Sequence, residues 1–134
     1  SLSNLMALVC VGNLISRVSP QVATLPGLRF IDVRGSAVEN LDTSFRLPII
    51  SEVHAANSGM RRVEVHQETT LTQLVAHHNL ISEVQVTALM AHLRVLNLAV
   101  CRLLILPESL FEHMPKLEEL ILDRNKLQSL PSSI

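Results

Sequence analysis

Apolar residues recur along this chain in one order: apolar-x-x-apolar-x-apolar-x-x-small polar-x-apolar-x-x-apolar. The order starts at Leu5, Leu28, Ile50, Leu71, Leu93 and Leu117, so successive copies lie 23, 22, 21, 22 and 24 residues apart. A fixed period in that range marks a solenoid, in which each unit buries its apolar face only against its neighbours. With the slots numbered from the first apolar residue, the last copy reads Leu117, Leu120, Leu122, Asn125, Leu127, Leu130. The fifth reads Leu93, Leu96, Leu98, Cys101, Leu103, Leu106, and earlier copies keep the same slots with Val, Ile, Met or Ala in place of some leucines. Although 17% of the chain is charged, no apolar slot holds a charge.

Slots four and six alternate around one residue, as in Leu96-Asn97-Leu98 and Leu120-Ile121-Leu122, which puts both side chains on one face of an extended segment. Slot nine holds Asn13, Ser36, Ser58, Asn79, Cys101 and Asn125. There the chain turns inward and its buried backbone groups need partners, so a stacked amide bridges coil to coil. Ser and Cys bond less completely, and the ladder is expected to be weakest at Ser36, Ser58 and Cys101. Val22, Leu25, Phe45, Leu89, Leu110, Phe111 and Met114 are the expected inward fillers of the return segments.

These residues resemble the leucine-rich repeat family, strictly in the last two copies, more loosely in the first four, and over essentially the whole chain. The resemblance implies an α/β solenoid spanning 1–134 as a single domain. In it a right-handed superhelix carries a parallel β-sheet on the concave face and irregular or short helical segments on the convex face. Family members of the extracellular kind carry cysteine-clustered caps and glycosylation acceptors; neither is found here. The first copy starts after almost nothing polar and the last stops within its return segment. The expectation is a fragment of a longer protein, its open ends covered by missing sequence or a neighbouring subunit.

Composition narrows the function classes. A net charge of −1 gives no basic footprint for nucleic acid or an anionic membrane, and no uncharged apolar run is long enough for a membrane span. The apolar run at Leu5–Val11 has no basic leader and falls in the repeat register, so it reads as structure rather than as a signal peptide. Cys10 and Cys101 lie four repeats apart, on the order of 20 Å at the strand spacing of a sheet and beyond disulfide reach. An intracellular, cytoplasmic setting with reduced thiols is expected.

The outward positions of the strand face are slots three, five, seven and eight. Across the copies they bring Phe30, Asp32, Arg34, His54, Asn57, Val75, His77, His78, Asn97, Asp123 and Arg124 to one solvated strip. Such a mixture of apolar anchors and polar groups suits a protein surface better than a small molecule, which wants a concave pocket. Stacked in register, His54 and His77 are diagonal neighbours about 7–8 Å apart. With only Asp32 as a nearby carboxylate they fall short of a zinc ligand set, and no metal or cofactor is expected. His66, His92 and His113 read as ordinary surface residues, and the Arg61-Arg62 pair as a solvated turn.

No catalytic constellation is apparent. The glycines are scattered without a phosphate-loop spacing, and both cysteines occupy inward slots. The expected role is a non-catalytic scaffold that binds a protein partner on its concave strand face. The alternatives are a substrate-recognition module of a larger enzyme, for example a ubiquitin ligase or phosphatase complex, and a structural subunit of a large assembly.

Overall fold

A computed structural model describes residues 2–40 and 49–134 of the chain. Each copy of the repeat opens with a three-residue strand: β1 (Ala7–Val9), β2 (Phe30–Asp32) and β3 (Glu52–His54) come from the first three copies. β4 (Arg62–Val65) follows in the third copy's return segment, and β5 (Gln73–Val75) opens the fourth. β6 (Glu83–Val86) lies in the fourth return segment, and β7 (Val95–Asn97) and β8 (Glu119–Ile121) open the last two copies. The opening strands form one parallel sheet in the order β1-β2-β3-β5-β7-β8. The protein is a parallel-strand β-solenoid.

The register puts the fourth slot of every copy in one column: Leu8 faces Ile31, then Val53, Leu74, Leu96 and Leu120. That column and its neighbours form the spine. Leu28, Ile50, Leu71 and Leu93 in slot one are fully buried, as are Val33, Ala55, Ala76 and Leu98 in slot six. Burial falls off at both ends of the stack, where Leu5, Leu8, Leu117, Leu120 and Leu122 are only partly covered. Leu130, expected in the spine, is 53% exposed.

Two ladders join the coils behind the strands. In the first, slot nine works as expected at Asn79 and Asn125, whereas Asn13 bonds only the Cys10 and Val11 carbonyls of its own coil. Asn79 Oδ1 accepts from the backbone amides of Ser58 and Met60 one coil back, both at 3.0 Å, and its Nδ2 donates to the carbonyls of Ala55 and Ala76. Asn125 repeats the arrangement toward Leu103, Leu98 and Leu122. The substitutes do less. Ser58 Oγ reaches the carbonyls of Val33 and Ala56, Cys101 Sγ lies 3.5–3.6 Å from those of Ala99 and Ala76, and the buried Ser36 Oγ has no partner.

The second ladder was not foreseen. At slot eight every coil adopts a left-handed conformation: Gly12, Gly35, Asn57, His78, Val100 and Arg124 have φ between 52° and 75°. In five of the six coils the slot-eight amide donates to the slot-seven carbonyl of the next coil: Gly12 to Arg34, Gly35 to Ala56, Asn57 to His77, His78 to Ala99 and Val100 to Asp123. The turn therefore keeps its handedness whichever residue occupies it.

The return side departs from the α/β expectation. Among the described residues helix is limited to one α-turn, α1 (Pro20–Ala23), and a 3-10 turn at Leu110–His113. α1 starts with Pro20, whose fixed φ suits the first helical position, behind a Ser19 cap. In the third and fourth copies the return segment is extended instead: β4 and β6 pair in parallel as a second, two-stranded sheet. Their sequences, Arg62-Val63-Glu64-Val65 and Glu83-Val84-Gln85-Val86, alternate polar and β-branched residues, and the valines are buried. Arg62 thus begins a strand rather than sitting in a turn. The fifth copy does not continue this sheet. Leu104 and Ile105 are 62% and 73% exposed, and Pro107 has no amide to give.

Of the expected fillers, Leu110, Phe111 and Met114 are buried, and Val22 and Leu25 pack against the core. Leu89 points outward, 44% exposed, and Met90 fills its place at 1%. Phe45, like Leu41 of the second copy, lies outside the described residues. Among the described residues no helix is long and apolar enough to cross a membrane.

Candidate functional site

The outer face of the six-stranded sheet is set by strand alternation: with Ile31, Val53 and Leu74 turned into the spine, the residues on either side of them turn out. On β2 these are Phe30 and Asp32, with Arg34 two residues further on. Asp32 does not reach solvent as expected. Arg34 folds back over it, with Nε 2.9 and 3.0 Å from its two carboxylate oxygens, Nη2 2.7 Å from Oδ2 and the backbone amide 3.1 Å from Oδ1. The Asp32 side chain is 4% exposed and that of Arg34 51%. Burial alone would push the Asp32 carboxyl up. The Arg34 hydrogen bonds and charge, with a smaller contribution from His54, outweigh it and hold the group below the usual aspartate range.

β3 adds His54, which faces Asp32 in register. Its ring lies against Phe30 with centroids 5.0 Å apart, and its Nε2 is 3.4 Å from Glu52 Oε2. Glu52 was missing from the expected site, although the signal was there: it sits two residues before His54 on a strand and so shares its face.

β5 contributes Val75, half-buried beside His54, and the chain beyond it supplies His77 and His78. His77 pairs with His78 rather than with His54, their Nδ1 atoms 2.7 Å apart. The left-handed turn at residue 78 offers His77 a nearer ring than that of its diagonal neighbour His54. Burial lowers the His77 pKa below the ordinary histidine value, and electrostatic repulsion from the neighbouring His78, Arg34 and His54 side chains adds to it.

Phe30, Asp32, Arg34, Glu52, His54, His77 and His78 thus form one patch across three strands. Of the remaining expected residues, Asn57 borders it, its amide donating to the His77 carbonyl, while Asn97, Asp123 and Arg124 stand apart. Asn57 occupies a left-handed turn. Asn97 Oδ1 is taken by the amide of Ala99 in its own turn. Asp123 and Arg124 lie exposed beyond β8, and among the described residues no side-chain bond joins them to the patch. Ala56, which occupies slot seven of the third copy, is buried at 3%.

Elsewhere among the described residues the surface holds open depressions. One, about 320 Å³, lies between β6 and Ile105–Glu108; another, about 580 Å³, is lined by Ser16, Arg17, Glu39, Asn40, Arg61 and Arg62 among others. Neither reaches the patch. Burial pushes the Cys101 thiol up, away from the thiolate that nucleophilic chemistry requires. His66 bonds Thr87 and His113 the Ser109 carbonyl, both on the return side. Among the described residues no three His, Cys, Asp or Glu side chains converge on a common point. Compared with known proteins, the chain matches no family model and no curated protein significantly.

Proposed function

We propose that this chain is a non-catalytic interaction module of the leucine-rich repeat type, which holds a protein partner against the outer face of its six-stranded sheet. The observation that carries the reading is the clamped arginine. Arg34 is fixed by a two-pronged bond to a buried carboxylate, yet half of its side chain faces solvent, and that carboxylate's residue stands opposite His54 of the Phe30–His54 ring pair. A guanidinium and an aromatic ring held in place before binding lose little conformational freedom when a partner arrives, and residues of these types concentrate binding energy in protein interfaces. The open form of the face among the described residues fits a macromolecular surface better than a small ligand. Free thiols at Cys10 and Cys101 suit a reducing compartment inside the cell.

A photo-reactive residue placed at His54 is expected to cross-link to a discrete partner, and one at His92 on the return side to give none. His54→Ala with His77→Ala is expected to weaken that partner's binding at least about tenfold while leaving the melting curve unchanged. Equal cross-linking from both positions, or an unchanged titration, would place the interface elsewhere.

A further inference from the structure

Consecutive residues of an extended strand point to opposite sides, so adjacent histidines ordinarily do not meet. At His77-His78 they do. The left-handed φ of 53° at His78 swings the second ring back toward the first, giving a centroid separation of 4.9 Å and an interplanar angle of 77°. The backbone holds this arrangement from both sides. The His77 carbonyl accepts from the amide of Asn57, and the His78 amide donates to the carbonyl of Ala99. The flanking residues in the slot of His77 are Ala56 and Ala99, whose methyl groups leave the rings uncrowded.

Two neutral imidazole nitrogens 2.7 Å apart hold a single proton between them, one ring donating and the other accepting. When the donor ring changes tautomer, its proton moving from Nδ1 to its own Nε2, both Nδ1 lone pairs become free to bind one metal ion. We propose that His77 and His78 form a two-nitrogen chelating site for a divalent transition-metal ion of tetragonal preference, copper(II) above all.

The spacing selects the geometry. Metal–imidazole bonds of about 2.0–2.1 Å meeting at a right angle put the two nitrogens about 2.9 Å apart, whereas a tetrahedral angle puts them about 3.3 Å apart. From 2.7 Å the first needs an opening of about 0.2 Å and the second about 0.6 Å, so the square arrangement of copper(II) fits better than the tetrahedron of zinc. Water fills the remaining positions on the solvent side.

The surrounding charges are those of Arg34, Asp32, His54 and Glu52. Arg34 opposes a cation but is matched by the Asp32 carboxylate, and His54 lies beside Glu52.

The test adds one equivalent of copper(II) to the full chain and reads electron paramagnetic resonance together with calorimetric titration. An axial spectrum with two equatorial imidazole nitrogens is expected. His77→Ala and His78→Asn are each expected to lose the two-nitrogen pattern and bind at least about tenfold more weakly, because the chelate is broken. His54→Ala and His92→Ala are expected to keep both. Asn already occupies the equivalent left-handed turn at residue 57, so His78→Asn preserves the backbone. A two-nitrogen spectrum and unchanged affinity in both pair variants would overturn the site, as would a parent spectrum with one equatorial imidazole. The site needs no partner protein, so its failure would leave the interaction reading untouched.

Discussion

Val100 is the residue most at odds with its backbone. Left-handed φ suits glycine, is tolerated by Asn, and is a true outlier for a β-branched side chain, at a cost of about 1–2 kcal/mol. The position holds it because its amide bonds the Asp123 carbonyl at 2.7 Å, a rung of the second ladder. Val100→Asn is therefore expected to stabilise the protein by about 1 kcal/mol, read as a higher urea midpoint with an unchanged slope; an equal or lower midpoint would contradict the strain. Asp32 gives a second test. Its folded pKa lies below the unfolded value, so its contribution to stability is present above the ordinary aspartate range and is lost as pH falls through that range and below. Between pH 7 and pH 3, Asp32→Asn is expected to lose less of its melting temperature than the parent, and parallel losses would contradict the pairing. Neither residue was fully legible in the sequence. Gly12 and Gly35 hint at a left-handed turn, but Val100 conceals it. Alternation places Asp32 on the outer face without showing that Arg34 covers it.

At the scale of elements, strands of three residues are too short to persist alone, so the bonds between coils carry much of their order. Asn79 is the strongest single link, since it satisfies two amides of the preceding coil and two carbonyls from a buried position. Asn79→Ala strands those groups and is expected to cost about 2–4 kcal/mol in a denaturant titration, against less than about 1 kcal/mol for Ser36→Ala, whose hydroxyl has no partner. Equal costs would remove the ladder from the account. The slot and its weak points could be read from residue type alone, because Asn both donates and accepts where Ser and Cys do so incompletely. The β4–β6 sheet could have been read too: the alternating valines at 63, 65, 84 and 86 carry a period of two, but the repeat phase absorbed Val63 and Val84 as its last slot. The contacts of the outer-face patch were less legible, because they depend on side chains crossing between strands.

Over the whole molecule, one aliphatic spine runs through the six-stranded sheet, and every other feature hangs from it. The period and phase of the repeat were enough to locate it, since a slot that must face its counterpart in the next coil tolerates no charge. The sequence could not show how far burial thins toward both ends of the stack, because slot identity is the same in covered and uncovered coils. The most direct test compares two leucines of the fifth copy, Leu98 with no exposure and Leu104 with 62%. A thermal melt by circular dichroism is expected to show Leu98→Asp without a cooperative native transition, because an unpaired carboxylate in the spine costs several kcal/mol. Leu104→Asp is expected to melt like the parent. If Leu98→Asp melted like the parent too, the spine would not run where the repeat phase places it.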